Sequence, residues 1–135
     1  MEVCSFYNNY YYFLLWCSSL LFLACNAACQ LPDSFQTWFC VTQLHTWLSV
    51  VRLRAEGEVG KDVSRMVVEH FVNDLELKIS NRGVRTREAM KELMAQYHGL
   101  SLAYDEGIYS DDTVLAGALW RYFSFSFIHL QLLPD

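Results

Sequence analysis

The stretch FQTWFCVTQLHTWLSVVRLRAEG, residues 35–57, decides the fold of this chain, because its apolar residues recur at helical spacing. We expect one buried stripe along this helix, and Phe35 and Phe39 widen the stripe into a broad aromatic face. The predicted stripe consists of Trp38, Val41, Leu44, Leu48 and Val51.

Polar residues and glycines mark the two ends of this first helix. Asp33 is the expected cap at its amino end, where Gln36 stands at the reciprocal position of a capping box. At the other end the apolar run stops at Glu56 and Gly57, and Gly60 completes the predicted turn.

Three further segments show helical periodicity. The second helix is predicted from Lys61 to about Ile79, the third from a Thr86 cap to Tyr104, and the fourth from a Ser110 cap. Their expected buried positions are Val63, Val67, His70 or Phe71, Leu75, Ala89, Met90, Leu93, Met94, Tyr97, Leu100, Val114, Leu115, Ala118, Leu119 and Tyr122. The sequence shows no strand pattern. It therefore predicts an all-α fold, a single bundle of four or more helices preceded by an apolar N-terminal helix.

Composition divides the chain into three segments. Residues 1–30 are apolar, residues 31–123 form the predicted helical domain, and residues 124–135 look like a tail that is foreign to it. No charged residue lies between Val3 and Pro32, and Tyr10–Ala28 has the length of a transmembrane helix. A membrane helix, a secretory signal and a non-native segment stay open as interpretations. The start lacks the basic residues of a signal, and no transit peptide is visible.

Composition and motifs argue against an enzyme. The net charge of −5 disfavours a protein that works by neutralising many phosphates. The four histidines are scattered, and neither the cysteines nor the acidic residues have the spacing of a metal site. Cys40 is expected to be a small buried hydrophobe. We predict a non-enzymatic protein with no catalytic residue, no metal, no cofactor and no small-molecule substrate.

Several segments resemble the ubiquinol-cytochrome c chaperone family. The first helix carries F-x-T-W-F-x-V-x-x-L-H-x-W followed by R-L-R-A-E-G, and the motifs V-E-H-F-x-x-D, A-Y-D-E-G and D-D…A-L-W-R follow in the family's order. None of them is a catalytic signature. The motif positions after the first helix are Glu69, His70, Phe71, Asp74, Tyr104, Asp105, Glu106, Asp112, Trp120 and Arg121.

This resemblance implies a mitochondrial assembly chaperone for respiratory complex III, ubiquinol-cytochrome c reductase. Such a protein would bind newly made cytochrome b and support its synthesis and insertion at the matrix side of the inner membrane. The implied partners are cytochrome b, a small companion assembly factor, the mitochondrial ribosome and the inner membrane. Both ends depart from the family pattern, which suggests a truncated or alternative isoform. The apolar first segment alone supports an alternative, a membrane-anchored or secreted helical protein-binding module.

The aromatic excess of the first helix and the basic residues near the next turn are the candidate partner contacts. A helix that packs inside while touching a partner outside needs apolar residues on more than one face. The candidates are Trp38, Phe39, His45, Trp47, Arg52 and Arg54 on the first helix, with Arg82, Arg85 and Arg87 in the basic loop.

Overall fold

The computed structural model describes residues 20, 23–24, 27–28, 33–83 and 85–128, with side chains in the last range as far as Arg121. Helix α1 spans Phe35–Leu53 and leads through a 3-10 turn, Arg54–Glu56, into α2, Gly57–Ser80. Helix α3 spans Thr86–Ile108, and α4 spans Asp112–Ile128. These residues contain no strand, which confirms the predicted all-α class.

The predicted number of helices is tested only in part by the described residues. The side chains of α1, α2 and α3 are all described. The side chains of α4 are described only as far as Arg121, so the packing of four or more helices into one bundle stays a prediction. Most of the predicted N-terminal helix lies outside the described residues, as does the tail from residue 129. None of the helices in the described part is both long and apolar enough to cross a membrane.

Helix α1 is enclosed by the other helices. Phe39 is completely buried and its ring lies 6.0 Å from that of Phe71 in α2, between centroids. The ring of Trp47 lies 5.2 Å from that of Tyr104 in α3, and α1 also packs against α4. Aromatic pairs at such separations stabilise the packing beyond the area that they bury. The core of the domain therefore forms around α1.

This enclosure overturns part of the predicted stripe on α1. Leu48 was expected in the core but is 49% exposed, whereas the polar side chains of Thr37 and Gln43 are fully buried. A helix that contacts neighbours on several sides has no single apolar face, so spacing along the sequence does not separate its inside from its outside. Cys40 is buried, as expected.

Helices α2 and α3 follow the predicted pattern closely. In α2 the buried residues include Val63, Val67, Phe71 and Leu75, so Phe71 rather than His70 occupies the core position. In α3 the expected positions Leu93, Tyr97 and Leu100 are buried, and the helix continues beyond the predicted end at Tyr104 to Ile108. Each of these helices covers the core with one face, which is why periodicity identified its buried residues.

The helix starts differ from the expected ones by one to four residues. Ser34, not Asp33, caps α1, because its Oγ accepts a hydrogen bond from the N–H of Thr37 at 3.2 Å. Asp111, not Ser110, caps α4, since its Oδ1 accepts from the N–H of Val114 at 3.1 Å. Both caps satisfy amide groups that have no partner within the helix.

The corner between α1 and α2 is tighter than expected. Helix α2 begins at Gly57, whose φ of 66° lies in the left-handed region, instead of at Lys61. Gly60 lies inside the first turn of α2, where a Cβ atom would stand 2.0 Å from the carbonyl oxygen of Leu53. At the α3–α4 crossing, a Cβ on Gly107 would stand 2.8 Å from the Cα of Leu115. Only glycine permits these two close approaches.

We expect Gly60→Ala to lower the free energy of unfolding by about 1–3 kcal/mol, because the added methyl group must push the end of α1 away from α2. Chemical denaturation followed by circular dichroism would measure the change. Gly117→Ala is the matched control, since Gly117 lies in α4 with no atom within 4 Å of the added carbon. Alanine there should stabilise the helix by about 0.5–1 kcal/mol. Equal stability changes in the two variants would contradict the proposed close approach.

Candidate partner-binding surface

An ion pair joins the carboxyl ends of α1 and α3. The guanidinium of Arg54 donates two hydrogen bonds to Asp105, from Nη1 to Oδ1 and from Nη2 to Oδ2, each 2.9 Å long. The indole Nε1 of Trp47 donates a third to Oδ1, also at 2.9 Å. Such bidentate pairs fix geometry as well as adding energy. We call this group, Trp47, Arg54 and Asp105, the carboxylate clamp.

The clamp changes the acid–base properties of its members. The hydrogen bond from Arg54 is the main cause that lowers the pKa of the Asp105 carboxyl below its ordinary value, although partial burial opposes it. The same hydrogen bond raises the pKa of Arg54. Asp105 is therefore held in its charged form, and the charge of Arg54 is already balanced within the chain.

Two neutral hydrogen bonds continue the contact between α1 and α3. Nε2 of Gln36 donates to Oε1 of Gln96, and Nε2 of Gln43 donates to Oγ of Ser101, both at 3.2 Å. The partner numbers rise together along both helices, so α1 and α3 run parallel. We call these two pairs the polar seam.

A cleft opens at the other end of the domain, between the start of α1 and the end of α2. Its volume is about 500 Å³, and its lining includes Phe35, Trp38, Lys78 and Arg82. The Nζ of Lys78 lies 4.6 Å from the centroid of the Trp38 ring, and the Cζ of Arg82 lies 5.0 Å from that of Phe35. At these distances the aromatic faces attract the cations. The structure thus brings together two predicted contacts, Trp38 and Arg82.

The remaining predicted contacts on α1 are distributed differently. Phe39 and Trp47 are buried, so their side chains position the neighbouring surface and present almost no area to a partner. His45 is half-buried, and burial lowers its pKa, which favours the neutral imidazole at neutral pH. Arg52 is exposed and pairs with Glu56 at 2.7 Å.

The basic loop is accessible. Arg82, Arg85 and Arg87 are all exposed, and Arg85 lies 3.7 Å from Glu88 of the same helical turn. Exposed pairs of this kind contribute little to stability. These cations are therefore available to an external partner at small cost to the fold.

Exposed apolar side chains lie around the α3–α4 turn and along α4. Trp120 is 77% exposed and Tyr109 is 80% exposed. Val114 was predicted to be buried, which was wrong, because its side chain is 45% exposed. Large aromatic side chains on a surface are typical of protein contact sites. Trp120 belongs to the A-L-W-R motif, whereas Tyr109 was not identified from the sequence. No helical spacing distinguishes Tyr109, because it follows the last residue of α3.

The middle motif positions divide between core and surface. In V-E-H-F-x-x-D, Phe71 is buried in the core, Glu69 is exposed, and His70 and Asp74 are intermediate. Glu69 and His70 are adjacent residues of α2, and adjacent residues of a helix point in different directions. In the described part of the chain, no three or more His, Cys, Asp or Glu side chains are grouped to hold a metal ion.

Sequence comparison bears directly on these motifs. Residues 27–129 match the family model described as Ubiquinol-cytochrome C chaperone. The chain belongs to the ubiquinol-cytochrome c chaperone family. The match covers more than half of the chain, which confirms the resemblance seen in the motifs, and it extends beyond residues 31–123 at both ends.

Named relatives of this family are similar over most of the chain. Ubiquinol-cytochrome-c reductase complex assembly factor 1 of Xenopus laevis is 40% identical over 96 residues, 69% of this chain and 48% of the relative. The protein of that name in Homo sapiens is 40% identical over 98 residues, 70% and 33% of the two chains. Protein CBP3, mitochondrial, of Saccharomyces cerevisiae is 36% identical over 98 residues, 68% and 29% of the two chains. The matched part thus spans less than half of these relatives, and no solved structure matches significantly.

Within this chaperone-family domain, two motifs have a structural explanation. R-L-R-A-E-G supplies Arg54, and A-Y-D-E-G supplies the buried Tyr104, the clamp carboxylate Asp105 and the close-packed Gly107. Glu106 of the same motif is exposed. Asp112 in the first turn of α4 and Arg121 are exposed as well. The only sequence signal for the clamp was the opposite charge of Arg54 in R-L-R-A-E-G and Asp105 in A-Y-D-E-G.

We expect Asp105→Asn to lower the free energy of unfolding at neutral pH by about 1 kcal/mol, since the clamp loses its charge but is partly exposed. Because the pKa of Asp105 is lowered on folding, its stabilisation is present above the unfolded pKa and disappears as pH falls through the folded value. Thermal melts across acidic pH would measure both effects.

Glu56→Gln is the control for this substitution, because it breaks only the exposed pair with Arg52. Its effect should stay within about 0.5 kcal/mol. The structural role of the clamp would be contradicted if Glu56→Gln lost as much stability as Asp105→Asn. It would also be contradicted if the acid dependence of stability were unchanged in Asp105→Asn.

Proposed function

We propose that this chain acts as an assembly chaperone for respiratory complex III and binds newly made cytochrome b. Membership of the chaperone family carries the proposal, together with relatives whose names describe assembly factors of ubiquinol-cytochrome c reductase. In the proposal the chain supports the synthesis and insertion of cytochrome b, with a small companion assembly factor beside the mitochondrial ribosome. The name of the Saccharomyces cerevisiae relative supports a mitochondrial location. We place the site of action at the matrix side of the inner membrane.

The described surface is compatible with such a role. A chaperone for an apolar membrane subunit needs accessible apolar side chains, which Tyr109 and Trp120 provide. It also needs a stable frame, which the clamp and the aromatic core provide. The family is named for chaperone activity, in keeping with the expectation of a protein without catalytic residues.

The proposed contacts now separate by accessibility. Trp38, Arg82, Arg85 and Arg87 lie around the cleft and the loop that follows it, and Trp120 lies on α4. Arg54 is less suitable than expected, because reversing its charge would also break the clamp. Arg52 offers a cleaner test, since its partner Glu56 is exposed.

Deleting the gene should reduce assembled complex III and the accumulation of cytochrome b in mitochondria. Native gel electrophoresis and the absorption spectrum of cytochrome b would measure the two quantities. Normal cytochrome b and complex III in the deletion strain would refute the proposal. Fluorescent tagging of the complete chain provides a separate check, because secretory entry would favour the membrane-anchored or secreted alternative.

We expect Trp120→Ser, placed in the chromosomal gene, to reduce complex III severalfold without changing the thermal midpoint of the purified protein. The side chain is 77% exposed, so its removal leaves the core intact but removes a large contact area. Leu77→Ser is the matched control, since Leu77 is also exposed, at 63%, but lies on α2 outside the family motifs. Equal complex III levels in the two strains would show that Trp120 is no contact.

A further inference from the structure

Half of the cations of this acidic chain lie in one short segment. Five of the ten lysines and arginines fall between residues 78 and 91, where Glu88 is the only acidic residue. The five are Lys78, Arg82, Arg85, Arg87 and Lys91. Since the whole chain carries a charge of −5, this segment is a positive region on an otherwise negative protein.

The cleft holds two of these cations close together. Lys78 and Arg82 lie over the rings of Trp38 and Phe35, and neither makes an ion pair with another described residue. The rings hold the cationic groups in place but do not neutralise them. The first turn of α1, with the positive end of its dipole, lines the same cleft. A group with one negative charge and several oxygen atoms fits this environment.

One acidic residue opposes this attraction. Asp33 also lines the cleft, and its side chain is exposed. Its carboxylate reduces the positive potential at the rim, so a singly charged phosphodiester is accommodated better than a doubly charged phosphate monoester.

The cleft lies at the end of the domain to which the apolar N-terminal sequence is attached. The uncharged, apolar sequence from Val3 to Pro32 leads covalently into α1 at this end of the domain. Arg85 and Arg87 follow the turn after Arg82, so they lie near the same end. Tryptophan, lysine and arginine together are typical of the interface between a membrane and water. The charged region therefore lies next to the segment with the strongest membrane character.

We infer that this basic end docks on an anionic phospholipid surface, and that the cleft receives one phosphodiester headgroup. The inference deepens the proposed function, which places the protein at a membrane, by naming the surface and the lipid chemistry. RNA fits less well, because the faces of Phe35 and Trp38 are covered by cations and Phe35 is only 8% exposed, which leaves little face for base stacking.

Vesicle flotation with the complete chain would test this docking. Vesicles of phosphatidylcholine alone measure binding through apolar sequence, and vesicles that also contain phosphatidylglycerol measure the added electrostatic attraction. We expect tighter binding to the anionic vesicles, with the difference lost at an ionic strength of about 1 M. Lys78→Gln and Arg82→Gln should each reduce the preference for anionic vesicles about fivefold. Asp33→Asn should increase it.

The double variant Lys61→Gln/Arg65→Gln controls for charge alone. It removes the same charge from the opposite end of α2, where both cations are exposed and paired with nearby carboxylates. Its preference for anionic vesicles should stay close to that of the wild type. A loss equal to that of Lys78→Gln/Arg82→Gln would overturn the assignment to this end. Circular dichroism melts would verify that all variants are folded.

Two competitors distinguish the source of the anion. Inorganic phosphate should not displace the chain from anionic vesicles at matched ionic strength, because the surrounding loop also contacts the lipid surface. Displacement by phosphate would mean that the cleft takes a free anion and would overturn lipid docking. Tighter binding of a single-stranded RNA oligonucleotide than of anionic vesicles would also overturn it. Normal vesicle binding together with normal complex III in the deletion strain would refute only the proposed function.

Discussion

The hydrogen-bonded carboxylate of Asp105 fixes the position of α1 relative to α3. It accepts hydrogen bonds from Trp47 and Arg54, and so joins the end of α1 to α3 at a distance of more than fifty residues along the chain. Tyr104 and Gly107, on either side of it, fill the core and allow α4 to approach. A single segment of α3 thus sets the position of both neighbouring helices. Three residues of A-Y-D-E-G, Tyr104, Asp105 and Gly107, therefore have structural roles.

The two ends of the domain have different physical character. At the clamp end the charges are paired inside the chain, and the close glycine contacts leave little freedom for movement. At the cleft end the cations lie over aromatic rings and face outward. Charges that are paired within the chain have little attraction left for a partner, whereas unpaired charges attract ligands of opposite charge. The paired charges of the clamp and the cations of the cleft are therefore separated along the helix axes.

The sequence predicted the helices better than the contacts between them. Val67, Phe71 and Leu75 were identified because α2 buries a single face, so a helical period reveals it. The same method misplaced Leu48, because α1 is enclosed on several sides and buries Gln43 as well. The caps of α1 and α4 lie one residue after the predicted ones, since neighbouring serine and aspartate side chains can each accept a hydrogen bond from the first amide groups of a helix.

The candidate site was less predictable for a related reason. Trp38 and Arg82 were both proposed as contacts, but their meeting in one cleft depends on Phe35 and Lys78, which come from different helices. Likewise the partner of Arg54 lies in a distant motif. No local spacing encodes a contact between distant segments, and opposite charge in two motifs is only a weak indication of one.

The polar seam has a consequence for how uniquely the chain folds. Gln36 and Gln43 meet Gln96 and Ser101 only when α1 and α3 stand in one register. If α1 slid by one turn, the buried amide of Gln43 would lose its hydrogen bond to Ser101, and a buried polar group without that partner costs about 1–3 kcal/mol. The two pairs of the polar seam therefore favour a single alignment of α1 with α3, in which the clamp and the cleft are each assembled from the correct residues.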